Sequence, residues 1–212
     1  MGPTKPVPVI ATAAWEVDQG LRELGVTREI VREIAIAAAG ARAEALAVDP
    51  CSTAGTLSYI YGVRTIRLKL LPLGWKEARD GNVETTVNHE LGVQLVFQNV
   101  HLACAESDPE AISGKGSASR KLVNSGQLEM FEKPAEGTVG RNPVVWMICV
   151  SVDDDNSVRA EVSCPEAFEG NQFDGFKRRL FVVDESFEPV PSKRQDFDDD
   201  GDLRFDIPVT KK

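Results

Sequence analysis

The residues best suited by type and spacing to do chemistry lie near the C-terminus, in "DFDDDGDLRF", Asp196 to Phe205. An EF-hand calcium loop takes oxygen ligands at positions 1, 3 and 5, glycine at 6 and a bidentate glutamate at 12. Asp196, Asp198, Asp200 and Gly201 meet the first four demands, and Asp202 adds a further carboxylate. Position 12 is Ile207, which cannot chelate, and "PVPSKRQ" ahead of the loop cannot form the entering helix. The run is a candidate for weak, open Ca2+ binding through Asp196, Asp198, Asp200 and Asp202. The competing reading is a solvated acidic linker.

Other catalytic signatures fail on particular residues. "SGKGSASRK" (Ser113 to Lys121) suggests a phosphate loop, but Pro109 stands where the first glycine belongs and Gly116 where Ser or Thr must follow Lys115. What remains is a basic loop, with Lys115, Arg120 and Lys121 able to touch an acidic partner. No G-x-S-x-G elbow occurs, "NHEL" lacks the second histidine of a zinc protease, and the run "GVQLVFQNV" has no acid with which to hold magnesium in a nuclease. The four cysteines, Cys51, Cys104, Cys149 and Cys164, are too dispersed for structural zinc. Cys149 and Cys164, inside apolar runs, are expected to be buried thiols. No cofactor is implied.

Two further groups fit binding rather than reaction. After the acidic run, Phe205, Ile207, Pro208 and Val209 form an apolar motif, "FDIPV". Its proline favours an extended shape that could pair with a partner's sheet edge or fill a groove. Arg64, Arg67 and Lys69 lie on a segment with helical spacing. Three helices followed by a hairpin is also the order of winged-helix DNA-binding domains, which makes this trio the nucleic-acid candidate.

Charge weighs between these readings. Lys plus Arg minus Asp plus Glu is 10 − 9 = +1 over residues 1–80, 5 − 8 = −3 over 81–141 and 9 − 16 = −7 over 142–212. A chain of net charge −9 disfavours general nucleic-acid binding, though it permits a local basic face. Apolar content of 42% in 212 residues supports one domain of ordinary size with a real core. There is no signal-peptide pattern, acylation pattern or run of 18 apolar residues, and the dispersed cysteines suit a reducing compartment, so a cytoplasmic location is expected.

The elements that must position these groups follow from periodicity. Residues 1–11, rich in proline, are expected to be an extended arm, and residues 12–74 a helical part. Helices are expected from Thr12 to Gly25, from a Thr27 cap toward Pro50, and through "LSYIYGVRTIRLKL", where Tyr59, Val63, Ile66 and Leu70 keep helical spacing. Residues 75–190 are expected to be the β-rich part of the same domain. It holds a hairpin at Asp80-Gly81, a buried strand in "GVQLVFQNVHLAC" and a second hairpin about "DDDN", whose Arg159, Glu161 and Ser163 should face water. "FKRRLFVVD" is a further strand. Residues 105–142 are a long connection with a short strand at "GQLEMF", and 191–212 are an acidic tail. The fold class is α+β, about three helices packed on a mainly antiparallel sheet of about six strands.

Several of these pieces, "YGVRTIRLKLLPLGW", "VVWMICV", "VRAEVSCP", "FKRRLFV" and "FDIPVTKK", together resemble a bacterial protein family associated with mobile elements and with genes for helix-turn-helix regulators. The resemblance runs from about Tyr59 to the end. That family has no assigned reaction, so the resemblance implies a setting of phage defence or counter-defence and carries over no catalytic residue. The expected function is a non-enzymatic, cytoplasmic protein-interaction component. The alternatives are a nucleic-acid or nucleotide-processing enzyme of unrecognised type, and a DNA-binding regulator acting through the N-terminal helices.

Overall fold

The computed structural model describes residues 7–80, 82–113, 121–123, 142–153, 155, 157–169 and 172–186. Its elements, in chain order, begin with β1 (Val9–Ala11), α1 (Ala14–Glu23), α2 (Arg28–Ala43) and α3 (Thr53–Leu70), the last running into a 3-10 turn at Leu71–Leu73. The strands β2 (Lys76–Asp80), β3 (Val83–Asn88), β4 (Val93–His101), β5 (Glu110–Ala111), β6 (Val144–Val152) and β7 (Ser157–Pro165) follow. The short pair β8 (Phe168–Glu169) and β9 (Gln172–Phe173) precedes β10 (Phe176–Ser186).

Helix formation follows local sequence. Thr27, in extended conformation, accepts a hydrogen bond from the Ile30 amide and starts α2, and Glu29 in the first turn complements the helix dipole. The helix stops at Ala43, short of the expected Pro50. Beyond it the Asp49 carboxylate accepts from the Leu46 amide at 2.8 Å, a local partner that competes with helical pairing, and Leu46 and Val48 stay exposed. Gly74, at φ 87°, ends the 3-10 turn after α3 in a conformation that a side chain would strain.

The main sheet has eight strands, in the order β1-β10-β7-β6-β4-β3-β2, with β5 paired to the end of β4. Six of them, β2, β3, β4, β6, β7 and β10, are segments expected to be strands. The sheet is mixed: β1 runs parallel to β10 and β4 parallel to β6, while the other pairings are antiparallel. Part of the expected arm is therefore a strand, with Val9 opposite Arg178. A parallel neighbour cannot be reached by a tight turn, which gives the long connection after β4 its purpose: the chain must travel back before β6 can start. The expected strand "GQLEMF" lies outside the described residues.

The three helices cover one face of the sheet. Trp146, Ile148 and Val150 of β6, Leu95 and Phe97 of β4, and Leu180 of β10 join Leu21, Ile34, Ala35, Ala38 and Ile66 in the larger core. Wholly buried side chains such as Leu21, Ile34 and Leu180 each contribute about 1.5–3 kcal/mol relative to exposure. The buried alanines of α2 let α3 lie close beside it. Gly62 brings α3 onto the sheet, where an added Cβ would meet the Phe97 ring at under 3.0 Å.

The other face is not wet. Val96, Val100, Val145, Met147 and Cys149 form a second core with Ala103, Leu122 and Val123, which the long connection supplies. The expectation that Glu161 and Ser163 face water is therefore wrong; both are fully buried. Alternation correctly put them opposite Val158, Ala160 and Val162, but it could not show that the chain returns to cover them.

Candidate functional site

α3 carries its apolar residues on two sides. One side packs into the core through Ile66 and Leu70, while Ile60, Leu68 and Leu71 remain 42%, 67% and 39% exposed. With Tyr59, Val63, Arg64, Arg67 and Glu84 they line a groove of about 480 Å³ between α3 and β3. Groups of exposed large apolar side chains beside charged ones are where partners dock, whereas such residues scattered singly carry no message.

The electrostatics of this groove sort the three basic residues singled out from sequence. Arg67 reaches Glu84 at 2.6 Å and Glu77 at 3.8 Å, and Lys69 is paired with Glu33. Glu84 is also paired with Arg79, and its carboxyl is held below the usual range, first by the Arg67 hydrogen bond. Burial raises the Tyr59 hydroxyl above its ordinary value. Arg64 is exposed, with its guanidinium over the Tyr61 ring, 4.5 Å from the centroid. A phosphate backbone approaching along α3 would have to compete with Glu33 and Glu84 for Lys69 and Arg67, leaving Arg64 as the member of the trio with no ion pair in the described structure.

A second concavity, of about 550 Å³, opens where α2 ends, α3 begins and β4 approaches its C-terminal end. Arg42, Cys51, Tyr59, Gln98, Asn99 and Ser113 contribute to its walls. Asn99 braces the start of α3: its Oδ1 accepts from Ser58 Oγ at 2.7 Å and its Nδ2 donates to the Gly55 carbonyl at 3.0 Å. The cleft has a cation, hydroxyls and an amide on its walls, the groups that would hold a small anionic molecule. Nothing in the sequence pointed to Arg42, because cleft and cation come together only when α3 has packed against both α2 and β4.

Deep under the second face lies a third polar group. Arg179 of β10 donates through Nε and Nη2 to the two oxygens of Glu161 on β7, at 2.9 and 2.7 Å, and neither side chain is exposed to solvent. Arg179 also donates to the Ser107 carbonyl at 3.0 Å, while Glu161 accepts from Ser163 Oγ at 2.6 Å and the Cys104 amide at 2.6 Å. Burial would lower the guanidinium pKa, but the Glu161 hydrogen bonds and charge outweigh it and raise the value. With its carboxylate and guanidinium committed to one another and to the loop at Cys104–Ser107, this cluster anchors the connection.

Of the remaining residues singled out from sequence, Lys121 is exposed beside buried Leu122 and Val123. Lys115 and Arg120 lie outside the described residues, as do Asp196, Asp198, Asp200 and Asp202, and Phe205, Ile207, Pro208 and Val209. Cys149 and Cys164 are buried as expected; Cys104 is partly covered and Cys51 is exposed. Among the described residues no group of three or more His, Cys, Asp or Glu side chains is placed to hold a metal ion, and no described helix is long and apolar enough to cross a membrane. His89 and His101 are both exposed, the first in a turn and the second at the end of β4 opposite Glu110. No family model matches the chain, and no curated protein or solved structure matches it either.

Proposed function

We propose that the protein is a non-enzymatic interaction component that docks a protein partner on the outer groove of α3, in the phage-related or mobile-element setting implied by the resemblance. The observation that carries this reading is the stripe Ile60, Arg64, Leu68 and Leu71. Three exposed apolar side chains and one exposed guanidinium follow one line along a helix whose other side is locked into the core. An apolar stripe rimmed by charge is the surface of a helix-in-groove or peptide-in-groove contact.

A photo-reactive amino acid at position 68 of the full chain tests this in a lysate of the source cells. One discrete protein adduct is expected. It should disappear with Ile60→Glu and be absent when the photo-reactive group replaces Trp15 on α1, another exposed apolar residue. The isolated partner should then bind the purified chain with an affinity that falls at least tenfold in Leu68→Glu. Adducts that ignore Ile60→Glu, or that form equally at position 15, would overturn the reading.

The cleft at Arg42 favours a second reading, in which the protein binds or processes a nucleotide-like anion. Its test is calorimetric titration of nucleoside mono-, di- and triphosphates, with and without magnesium, into the wild type and Arg42→Ala. Saturable heat lost in the variant would support it. Flat titrations across the set would remove it.

A further inference from the structure

We infer that the partner docked on α3 presents an extended acidic segment. It runs from the Arg42 cleft into the α3 groove, with carboxylates at Arg42 and Arg64 and apolar side chains against Ile60 and Leu68. This rests on the docking reading above, names the chemistry of its partner, and gives the cleft to that same occupant in place of a nucleotide. The two concavities are continuous: Tyr59 lines both, so they meet along α3. Thr56, Ile60, Arg64 and Leu68 are all exposed and follow one another at intervals of four residues. The first of them lines the cleft and the other three line the groove, so one row of side chains crosses from one into the other.

Charge selects the occupant. Arg42, partly buried at the end of α2, and Arg64 have no ion pair among the described residues, whereas Arg67 and Lys69 of α3 are paired with Glu84 and Glu33. The cations left open along the row are thus two guanidiniums, and a segment that satisfies both carries acids. Spacing selects its shape. Four residues of α-helix advance about 6 Å, close to the roughly 6.7 Å between side chains on one side of an extended chain. An acid at Arg42 beside Thr56, an apolar residue at Ile60, an acid at Arg64 and an apolar residue at Leu68 therefore fall at every second position of the segment. A helical occupant would satisfy its backbone internally, whereas the free amides and carbonyls of an extended chain find hydroxyls in the cleft at Ser52, Thr56 and Ser113.

The test selects a display library of random twelve-residue peptides on the immobilised full-length chain. Enriched peptides are expected to share two acids and two apolar residues alternating at every second position. By calorimetry, a synthetic copy of one should bind at least tenfold more weakly to Arg42→Ala, Arg64→Glu and Leu68→Glu, each with an unchanged thermal melt, and should weaken as salt is raised. Replacing its inner acid, the one between the two apolar residues, with lysine should restore binding to Arg64→Glu but not to Arg42→Ala. The peptide should also suppress the lysate adduct at position 68. Enriched peptides without acids, or binding indifferent to Arg42→Ala, would overturn the inference. So would position-68 cross-links that join two copies of the chain, or stay within one, and resist the peptide. Displacement of the peptide by a nucleoside triphosphate would do the same, since the cleft would then belong to a small anion. A lysate adduct that depends on Ile60 but ignores Arg42→Ala defeats the acidic segment and leaves the docking reading standing. Absence of any lysate adduct at position 68 defeats both.

Discussion

Arg179 and Glu161 face each other from adjacent strands as a bidentate ion pair with no solvent contact on either side. Such a pair offers little net gain over a well-packed apolar pair, but losing one partner strands a charge in the interior. Glu161→Ala is therefore expected to cost about 3–5 kcal/mol, read as a fall in the urea midpoint. The double variant Glu161→Leu with Arg179→Met should recover a large part of that loss. Failure to recover would mean that the hydrogen bonds to Ser163, Cys104 and Ser107 matter more than the charges.

Two glycines in helices should respond to alanine in opposite directions. Gly40 in α2 has open space where a Cβ would stand, so Gly40→Ala should stabilise by about 0.5–1 kcal/mol. Gly62→Ala drives a methyl into the buried Phe97 ring and should destabilise by about 1–3 kcal/mol despite better helix propensity. Thermal melts of the two variants separate the effects, and adding Phe97→Leu should relieve the second.

The Glu84 carboxyl has a folded-state pKa below its ordinary value of 4.5, chiefly through Arg67. The unfolded chain takes up the proton first as pH falls, so this stabilisation is present above about pH 4.5 and is lost as pH drops through the folded value. Glu84→Gln is expected to lower Tm at pH 7 and to leave a smaller gap from wild type at pH 3. An equal gap at both values would contradict the assignment.

Thiol reactivity should split one against three. Cys51 is exposed, whereas burial and the Glu161 charge push Cys104 up to about 12, burial pushes Cys164 up to about 11, and Cys149 is wholly buried. Since the thiolate is the nucleophile, a disulfide reagent at pH 8 should modify one thiol quickly and the others only on unfolding. Cys51→Ser should remove the fast phase.

Much of the fold was legible because periodicity reports which side of an element is apolar. The alternation Val158, Ala160, Val162 and the spacing Tyr59, Val63, Ile66, Leu70 each identified an element and its inward side. Burial of the opposite side was not legible. Glu161 and Ser163 read as solvent-facing because the residues that return to their cluster, Cys104 bonded to Glu161 and Ser107 bonded to Arg179, come from a connection with no periodicity of its own. β1 escaped notice for a similar reason: three residues beside prolines carry no pattern, and what makes them a strand is an edge supplied by β10. The α3 groove was half visible, since Arg64, Arg67 and Lys69 stood out in the sequence. Which of them keeps its charge exposed depended on Glu84 and Glu33, brought there by tertiary packing.

The pairing of β1 with β10 also bears on synthesis of the chain. Val9 lies opposite Arg178, 169 residues later (178 − 9), and Glu23 of α1 holds the same Arg178 at 2.7 Å. At translation rates of about 5–20 residues per second, the first strand waits roughly 8–34 s for its partner to be made. α2 and α3 can pair early, but β1 cannot take its place until nearly the whole domain has left the ribosome. Contacts of such long sequence separation slow folding, and the nascent chain carries the exposed Val7, Val9 and Ile10 through that interval.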